Sequence, residues 1–286
     1  MTRLPALLLA TLLAAPATAD TLPIAVAPER AWRALLGQLE HDGLRAHAQL
    51  DLDRFEGRLP LPGAGTVEVS VDWDDTTGGT RLRWHASDTQ PAHRAAARGW
   101  MQRVADAAPR LPRPNHLCQG PAPATNGPDA DTYTGKASCS FGAGHFSSAL
   151  FELEKCGDYE SALVILAACV REGHAGGLVR LAQFFESGLG VPRRPERMTD
   201  YLRQAVASHT PGYSDGARVQ YATALYFGVG TAPDRTAALH LFKTAAAAGD
   251  RDARDFLARG VHYAWRREDG SVYADPAWIP TPSNHP

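Results

Sequence analysis

The sequence lacks the short motifs that identify the best-known enzyme families. It contains no G-x-S-x-G, no H-E-x-x-H, no phosphate-binding G-x-x-x-x-G-K-[ST], and no G-x-G-x-x-G after a strand pattern. Its 11 histidines include no pair spaced i, i+4 on a predicted helix, and its cysteine spacings match no zinc site. We therefore predict no catalytic residue, no cofactor site and no metal site.

Lysine is scarce, because it occurs only at Lys136, Lys155 and Lys243. Arginine supplies the other positive charges, and the formal net charge is −2 at pH 7. Binding to nucleic acid or to a membrane surface needs a concentrated positive field, which this composition does not provide. The excess of arginine fits a compositional bias, and we expect no nucleic-acid partner.

Long apolar runs are absent after residue 19. A membrane-spanning helix needs about 20 apolar residues, so we predict none in this part of the chain. Before that point, Arg3 gives a positive n-region and residues 4–15 are apolar. Ala17-Thr18-Ala19 then forms a small-x-small cleavage pattern. Residues 1–19 are predicted to be a signal peptide, so that the mature chain begins at Asp20 and is secreted through the inner membrane to the periplasm.

Prolines and glycines are concentrated in residues 109–140, which show no hydrophobic period. Such a composition is typical of a linker. It separates residues 20–108, where strand and helix periods alternate, from a helical region at residues 141–262. Residues 263–286 form a tail. We therefore predict two domains joined by the linker.

The N-terminal domain has the predicted order βαβββα, a small α+β fold with an antiparallel sheet and helices on one face. The predicted strands are residues 22–26, 44–53, 66–73 and 80–85, and the predicted helices are residues 28–42 and 91–108. Val67, Val69, Val71 and Trp73 alternate with polar residues, and Thr77-Gly78-Gly79 marks a hairpin turn. This order is similar to that of the helix-grip domains of some exported envelope proteins.

Three aspartates, Asp72, Asp74 and Asp75, form the densest acidic cluster of the sequence. Their spacing does not match a calcium-binding loop. Because they fall at a strand end and in a turn, we predict that their carboxylates are solvated.

The second half of the chain repeats itself with a shift of 40 residues. Residues 178–209 laid over residues 218–249 place Gly188-Leu189-Gly190 on Gly228-Val229-Gly230. Each copy predicts a helix, a loop with two glycines and a second helix, a pattern typical of a helical solenoid. In the second copy, residues 217–227 form the first predicted helix, Asp234 caps the second, and Gly249 ends it.

The run from Tyr221 to Gly249 resembles a Sel1-like repeat, a longer relative of the tetratricopeptide repeat. The residues that match the repeat pattern are Tyr221, Gly228, Gly230, Asp234, Ala237, Phe242, Ala245, Ala246 and Gly249. The preceding copy fits through Gly188 and Gly190, but it has Arg197 and Met198 where the family prefers a small residue. With degenerate flanking copies the resemblance covers about residues 146–260. It implies an all-α, right-handed helical-repeat solenoid in which these motif residues serve packing.

Four cysteines, Cys118, Cys139, Cys156 and Cys169, follow the predicted signal peptide. An even number in an exported protein predicts two disulfides. If residues 146–156 and 160–169 form an antiparallel helix pair, Cys139 and Cys169 lie at one end, and Cys156 lies ~15 Å away at the turn. We therefore favour the pairs Cys139–Cys169 and Cys118–Cys156.

The resemblance implies a monomeric, non-enzymatic adaptor or regulator that binds another protein in the periplasm or cell envelope. One alternative is a β-lactamase-like or penicillin-binding enzyme, since some cysteine-rich exported relatives are associated with these activities. Those relatives place paired cysteines eight residues apart, whereas Gly177 stands eight residues after Cys169. A second alternative is that the N-terminal domain holds a small apolar ligand in a helix-grip cavity.

Overall fold

The computed structural model describes residues 19–88, 90–112, 139, 145–208, 213–266 and 272–274. Residues 1–18 of the predicted signal peptide, Cys118, and most of the predicted linker and tail lie outside these residues. We call residues 19–112 the sheet unit and residues 145–260 the helical unit. No helix in the described ranges combines the length and the apolar character needed to cross a membrane.

Five strands of the sheet unit form one antiparallel sheet in the spatial order β1-β5-β4-β3-β2. They are β1 (Asp20–Ile24), β2 (Gln49–Asp51), β3 (Glu56–Leu61), β4 (Gly65–Trp73) and β5 (Thr80–Ala86). β4 and β5 form the predicted hairpin, with Trp73 opposite Thr80. The predicted alternation along β4 is also present: Val67, Val69, Val71 and Trp73 are buried, and the residues between them lie on the outer face of the sheet.

The region between the first helix and β4 differs from the predicted single strand at residues 44–53. A 3-10 turn (Arg45–His47) and the short β2 occupy it, and β3, which was not predicted, pairs between β2 and β4. The sequence pattern does not reveal β3 because Gly57 and Pro60 are both unfavourable in strands. Gly57 is required by packing, since a Cβ there would lie 2.6 Å from Leu50 Cδ2.

Two helices cover the inner face of the sheet, α1 (Pro28–His41) and α2 (Pro91–Ala107). Each begins with a proline, which is tolerated there because the first N–H groups of a helix have no intrahelical partner. The space between helices and sheet is filled by side chains with almost no exposed surface. They include Leu35, Leu39, Leu59, Leu82 and Met101.

The helical unit contains seven helices in its described residues, and each packs against the next along the chain. They are α3 (His145–Lys155), α4 (Tyr159–Arg171), α5 (Ala175–Ser187), α6 (Pro195–Ala207), α7 (Tyr213–Phe227), α8 (Arg235–Ala247) and α9 (Arg251–Arg259). A two-stranded hairpin, β6 (Val261–Arg266) and β7 (Val272–Ala274), follows them.

The helix bounds reproduce the shift of 40 residues. α6 and α8 begin at Pro195 and Arg235 and end at Ala207 and Ala247. The loops before them also share a hydrogen bond: the Arg194 N–H donates to the Phe185 carbonyl at 2.9 Å, and the Asp234 N–H donates to the Leu225 carbonyl at 2.9 Å. The two copies therefore share one local structure.

Candidate protein-interaction site

Arg197 of α6 lies at the centre of the contact between the sheet unit and the helical unit. Its guanidinium donates to the carbonyl oxygen of Trp73 at 2.7 Å, to Asp72 Oδ1 at 3.2 Å and to Asp75 Oδ2 at 3.2 Å. It also donates to the hydroxyl of Tyr201, which in turn donates to Asp75. The repeat family prefers a small residue at this position. Here the position is occupied by Arg197, which joins the two units.

Aromatic rings surround the same guanidinium. Trp73 is 1% exposed and packs in the apolar core of the helical unit, with its ring centroid 6.2 Å from that of Phe185. Phe185 stacks on Tyr201 at 5.6 Å, and the Arg197 guanidinium carbon lies 4.7 Å from the Phe185 ring centroid. Such cation–π contacts favour a desolvated arginine. The last residue of β4 is thus a core residue of the helices.

The protonation states at this contact follow from burial and charge. Burial acts to lower the pKa of Arg197, but the Tyr201 oxygen and the carboxylates of Asp72 and Asp75 outweigh it and hold this pKa above its ordinary value. Burial raises the pKa of Tyr201 above its usual range. Arg197 therefore stays charged, and the Tyr201 hydroxyl stays protonated as a hydrogen-bond donor.

The structure corrects the prediction that the three clustered aspartates are solvated. Asp74 is only 8% exposed and pairs with Arg81 at 3.0 Å, and the Asp72 side chain is only 13% exposed. Asp75 is more accessible but also pairs with Arg197. The local sequence does not show these contacts, because Arg197 is more than a hundred residues away along the chain.

Three further ion pairs and two backbone hydrogen bonds join the two units around Arg197. The ion pairs are Arg30–Glu160, Arg54–Glu196 and Arg194–Glu56. The backbone bonds run from Glu29 N–H to the Gly190 carbonyl and from Arg193 N–H to the Asp53 carbonyl. The helical-unit residues in these contacts belong to α4, to α6 and to the loop before α6. The sheet unit is therefore attached to the side of the helical unit that α4 and α6 form.

The loop glycines of the repeat motif permit close approach between successive helices. Gly188 and Gly228 follow α5 and α7 with φ values of +74° and +73°. A Cβ on Gly190 would lie 2.7 Å from Tyr159 Cβ, and a Cβ on Gly230 would lie 2.1 Å from the carbonyl oxygen of Pro195. Each loop therefore lies against the start of the preceding second helix, where only glycine fits.

The other motif residues lie in and around α8. The Asp234 carboxylate caps α8 by accepting from the Ala237 N–H at 2.9 Å. Phe242 and Ala245 are fully buried, and Phe242 stacks on Phe256 with ring centroids 4.0 Å apart. The partly buried members of the same core include Tyr221, Ala237 and Ala246, and Gly249 follows α8 with φ +104°. These residues fit helices together.

A disulfide joins Cys139 to Cys169, the pair that the helix geometry favours, with a Cα–Cα distance of 4.7 Å. A Cβ on Gly177 would lie 2.1 Å from Cys169 Cβ and 3.5 Å from Cys139 Sγ. The glycine that stands eight residues after Cys169 therefore leaves room for this disulfide. Cys156 is also disulfide-bonded, and its predicted partner, Cys118, lies outside the described residues.

A groove of about 250 Å³ lies between α5, α6, α7 and the start of α9. Its apolar lining consists of Ala182, Met198, Leu202, Val219 and Ala224, and its other lining residues are Gln183, Glu186, Gly216, Gln220, Asp250 and Asp252. None of these residues belongs to the sheet unit. Met198, the second departure from the repeat pattern, is one of them.

The groove is acidic. Glu186, Asp250 and Asp252 line it, and no basic side chain is among its described lining residues. Asp250 also caps α9 by accepting from the Ala253 N–H at 2.8 Å. Desolvation by the surrounding protein raises the pKa of Glu186, and the nearby Arg193 opposes this shift. Within the described ranges, no group of three or more His, Cys, Asp or Glu is arranged to hold a metal ion.

No protein-family model matches this chain, and no curated protein matches it. Part of the chain is similar to solved structures of Sel1-repeat proteins, at low TM-scores. Cysteine-rich protein B of Helicobacter pylori has a TM-score of 0.34 at 17% identity, over 38% of this chain and 80% of that chain. A Sel1 repeat protein from Oxalobacter formigenes has a TM-score of 0.33 at 22% identity, over 44% of this chain and 89% of that chain. A protective antigen of uropathogenic Escherichia coli strains, which displays an SLR fold, has a TM-score of 0.31 at 20% identity, over 38% of this chain and 26% of that chain.

Proposed function

We propose that this protein is an exported, non-enzymatic adaptor that binds a segment of another protein in the groove between α5, α6, α7 and the start of α9. In this proposal the helical unit is a right-handed solenoid of Sel1-like repeats, and the groove lies on its concave face. The observation that carries the proposal is the composition of the groove, which combines an apolar floor, two amides and three carboxylates.

The groove chemistry defines the segment that fits it. The carboxylates of Glu186 and Asp252 favour a lysine or arginine side chain, whose methylene groups can lie over the apolar floor. The amides of Gln183 and Gln220 can both donate to and accept from a peptide backbone. The proposed occupant is therefore a segment that carries lysine or arginine side chains.

The proposed compartment is the periplasm or another part of the cell envelope. The predicted signal peptide supports export, and the Cys139–Cys169 disulfide supports an oxidising environment. We propose that the mature protein acts there as a monomer.

The two alternatives have weaker support. For the β-lactamase-like or penicillin-binding enzyme, Gly177 replaces the cysteine expected eight residues after Cys169, and a nitrocefin turnover assay tests this activity directly; we expect no turnover. For the apolar-ligand alternative, the space between the sheet and its helices is filled by buried side chains such as Leu39 and Met101. We expect native mass spectrometry to detect no retained lipid.

The test of groove binding uses two synthetic peptides and the full mature chain. In one peptide lysine and leucine alternate between terminal glycines, and in the other glutamate replaces each lysine. We expect the lysine peptide to bind the groove and the combined variant Glu186→Gln, Asp252→Asn to weaken this binding roughly tenfold or more. Asp250 is left unchanged because it caps α9.

The matched control is Glu40→Gln with Asp106→Asn, which removes the same charges from exposed positions on α1 and α2. Isothermal titration at about 50 mM salt gives the affinities, since charge contacts weaken as salt rises. An equal loss of affinity in the groove and control variants would refute the proposal. So would a lysine peptide that binds no better than the glutamate peptide at the groove.

A further inference from the structure

The outer face of the sheet carries a trough of about 630 Å³. β2, β3, β4 and β5 all contribute to it, and its polar lining residues are Gln49, Asp51, Glu56, Arg58, Glu68, Ser70, Arg83 and His85. Cross-strand pairing sets Arg83 of β5 opposite Ser70 of β4, and His85 opposite Glu68. Register therefore fixes the positions of these side chains on one face.

The carboxylates of the trough are already engaged. Glu68 pairs with Arg58 at 3.0 Å, and Glu56 pairs with Arg194 of the helical unit. Asp51 accepts from the backbone N–H groups of residues 53 and 54. No carboxylate of the trough is therefore bound to the basic groups of β5.

Arg83 and His85 are the basic side chains of the trough that have no acidic partner among the described residues. Both are only partly exposed, and neither forms an ion pair or side-chain hydrogen bond with any described residue. Half-buried arginines are normally paired with a carboxylate or another acceptor. The two side chains also lie two residues apart on one strand, so they point to the same face about 7 Å apart.

We infer that this trough binds an acidic, extended segment of a second partner protein, with one carboxylate on Arg83 and another on His85. An extended chain repeats its side chains on one face with the same spacing as β5, so the matching motif is Glu-x-Glu or Asp-x-Glu. A guanidinium binds a carboxylate through two parallel N–H···O bonds. The Ser70 hydroxyl and the Gln49 amide supply further hydrogen bonds for the bound segment.

The composition of the trough favours an acidic peptide over a nucleic acid. Arg58 is paired with Glu68, and the remaining guanidinium and one imidazole are too few to neutralise a row of phosphates. Base stacking needs an exposed aromatic ring, and Trp84, the aromatic residue in the trough lining, is 1% exposed. The trough is also separate from the groove, because it lies in the sheet unit. With opposite charge preferences at the two surfaces, the protein would bridge a basic segment and an acidic one.

The test compares two peptides of equal charge with the full mature chain. One has two glutamates separated by one residue, and the other has its two glutamates adjacent. We expect the separated peptide to bind, with amide chemical-shift changes at Ser70, Arg83 and His85. Arg83→Gln should weaken its binding roughly tenfold, and His85→Gln should weaken it by a smaller factor.

The matched control variants are Arg110→Gln and His47→Gln, which make the same changes at positions outside the trough. Thermal unfolding confirms that each variant is folded. The inference fails if Arg83→Gln and Arg110→Gln have equal effects, or if the shift changes fall outside β4 and β5. The lysine peptide of the groove experiment separates the two proposals, because Arg83→Gln should leave its binding unchanged.

Discussion

Gly177 lies so close to Cys169 that no side chain fits between them: a Cβ on Gly177 would lie 2.1 Å from Cys169 Cβ. Both residues are buried, and Cys169 carries the disulfide to Cys139. The contact allows α5 to pack against α4 while the disulfide occupies the space between them.

Gly177→Ala is therefore expected to destabilise the protein by about 1–3 kcal/mol, because the added methyl overpacks a buried contact. The matched control is Gly37→Ala in α1, where a Cβ meets nothing within 4 Å. That variant should gain roughly 0.5–1 kcal/mol, since alanine is the better helix former. Urea denaturation under oxidising conditions gives both free energies of unfolding. Equal stabilities of the two variants would contradict the packing role of Gly177.

Gly230→Ala tests the contact between successive repeats. Gly230 has φ +64°, and a Cβ there would lie 2.1 Å from the Pro195 carbonyl oxygen. Gly43→Ala is the control, because Gly43 has φ +69° and open space around its Cα. The control should cost about 1–2 kcal/mol for the left-handed backbone alone. Gly230→Ala should cost more in the same denaturation assay, and a smaller loss than the control's would show that α6 and the loop are not in close contact.

Arg197→Met tests the contact between the sheet unit and the helical unit. The variant leaves Asp72 and the Trp73 carbonyl without their donor, so we expect a loss of about 3–5 kcal/mol in the free energy of unfolding. Arg203→Met removes an exposed pair with Asp200 from the same helix and should cost about 0–1 kcal/mol. Hydrogen exchange should show that Arg197→Met raises exchange in β4 and α6 together. A loss no larger than that of Arg203→Met would show that Arg197 is dispensable for the contact.

The affinity of the groove for the lysine peptide is expected to depend on pH through Glu186. Desolvation raises the pKa of this carboxyl above its ordinary value of 4.5. As pH falls, Glu186 is therefore neutralised earlier than an ordinary glutamate, and the affinity should begin to fall at a higher pH than it would with an unshifted carboxyl. A bound lysine stabilises the carboxylate, so binding near this pKa should release protons. Titration calorimetry in buffers of different ionisation enthalpy measures that release, and Glu186→Gln should reduce it.

Local sequence patterns were sufficient to predict those helices and strands whose own residues show a regular spacing. The alternation of Val67, Val69 and Val71 predicts β4 and its buried face. The echo of Gly188-Leu189-Gly190 in Gly228-Val229-Gly230 predicts a helix on each side of the loop, and in the second copy the predicted helix at residues 217–227 ends where α7 ends but begins four residues later. In both cases the residues that define the pattern also make the packing contacts that stabilise the element.

Contacts between distant parts of the chain could not be predicted in the same way. Asp72 has the appearance of a surface aspartate until α6 places Arg197 beside it. β3 is stabilised by its neighbours in the sheet, and not by its own residues, since Gly57 and Pro60 oppose strand formation. The groove is assembled from four separate segments. The sequence signal that could have indicated these contacts was the break in the repeat pattern at Arg197 and Met198. Arg197 contacts the sheet unit, and Met198 lines the groove.

The position of Trp73 constrains how this protein can change in length. Because the end of β4 fills the core beside α5 and α6, inserting or removing a repeat there would separate Trp73 and Asp72 from Phe185 and Arg197. Duplication of a 40-residue block after α6 would leave that contact intact. Each new glycine loop would again pack against the first residues of the preceding second helix, as Gly190 and Gly230 do. The helical unit, and with it the proposed binding surface, can therefore lengthen away from the sheet without disturbing this contact. Homologues with more repeats should keep the tryptophan and the arginine that join α6 to the sheet.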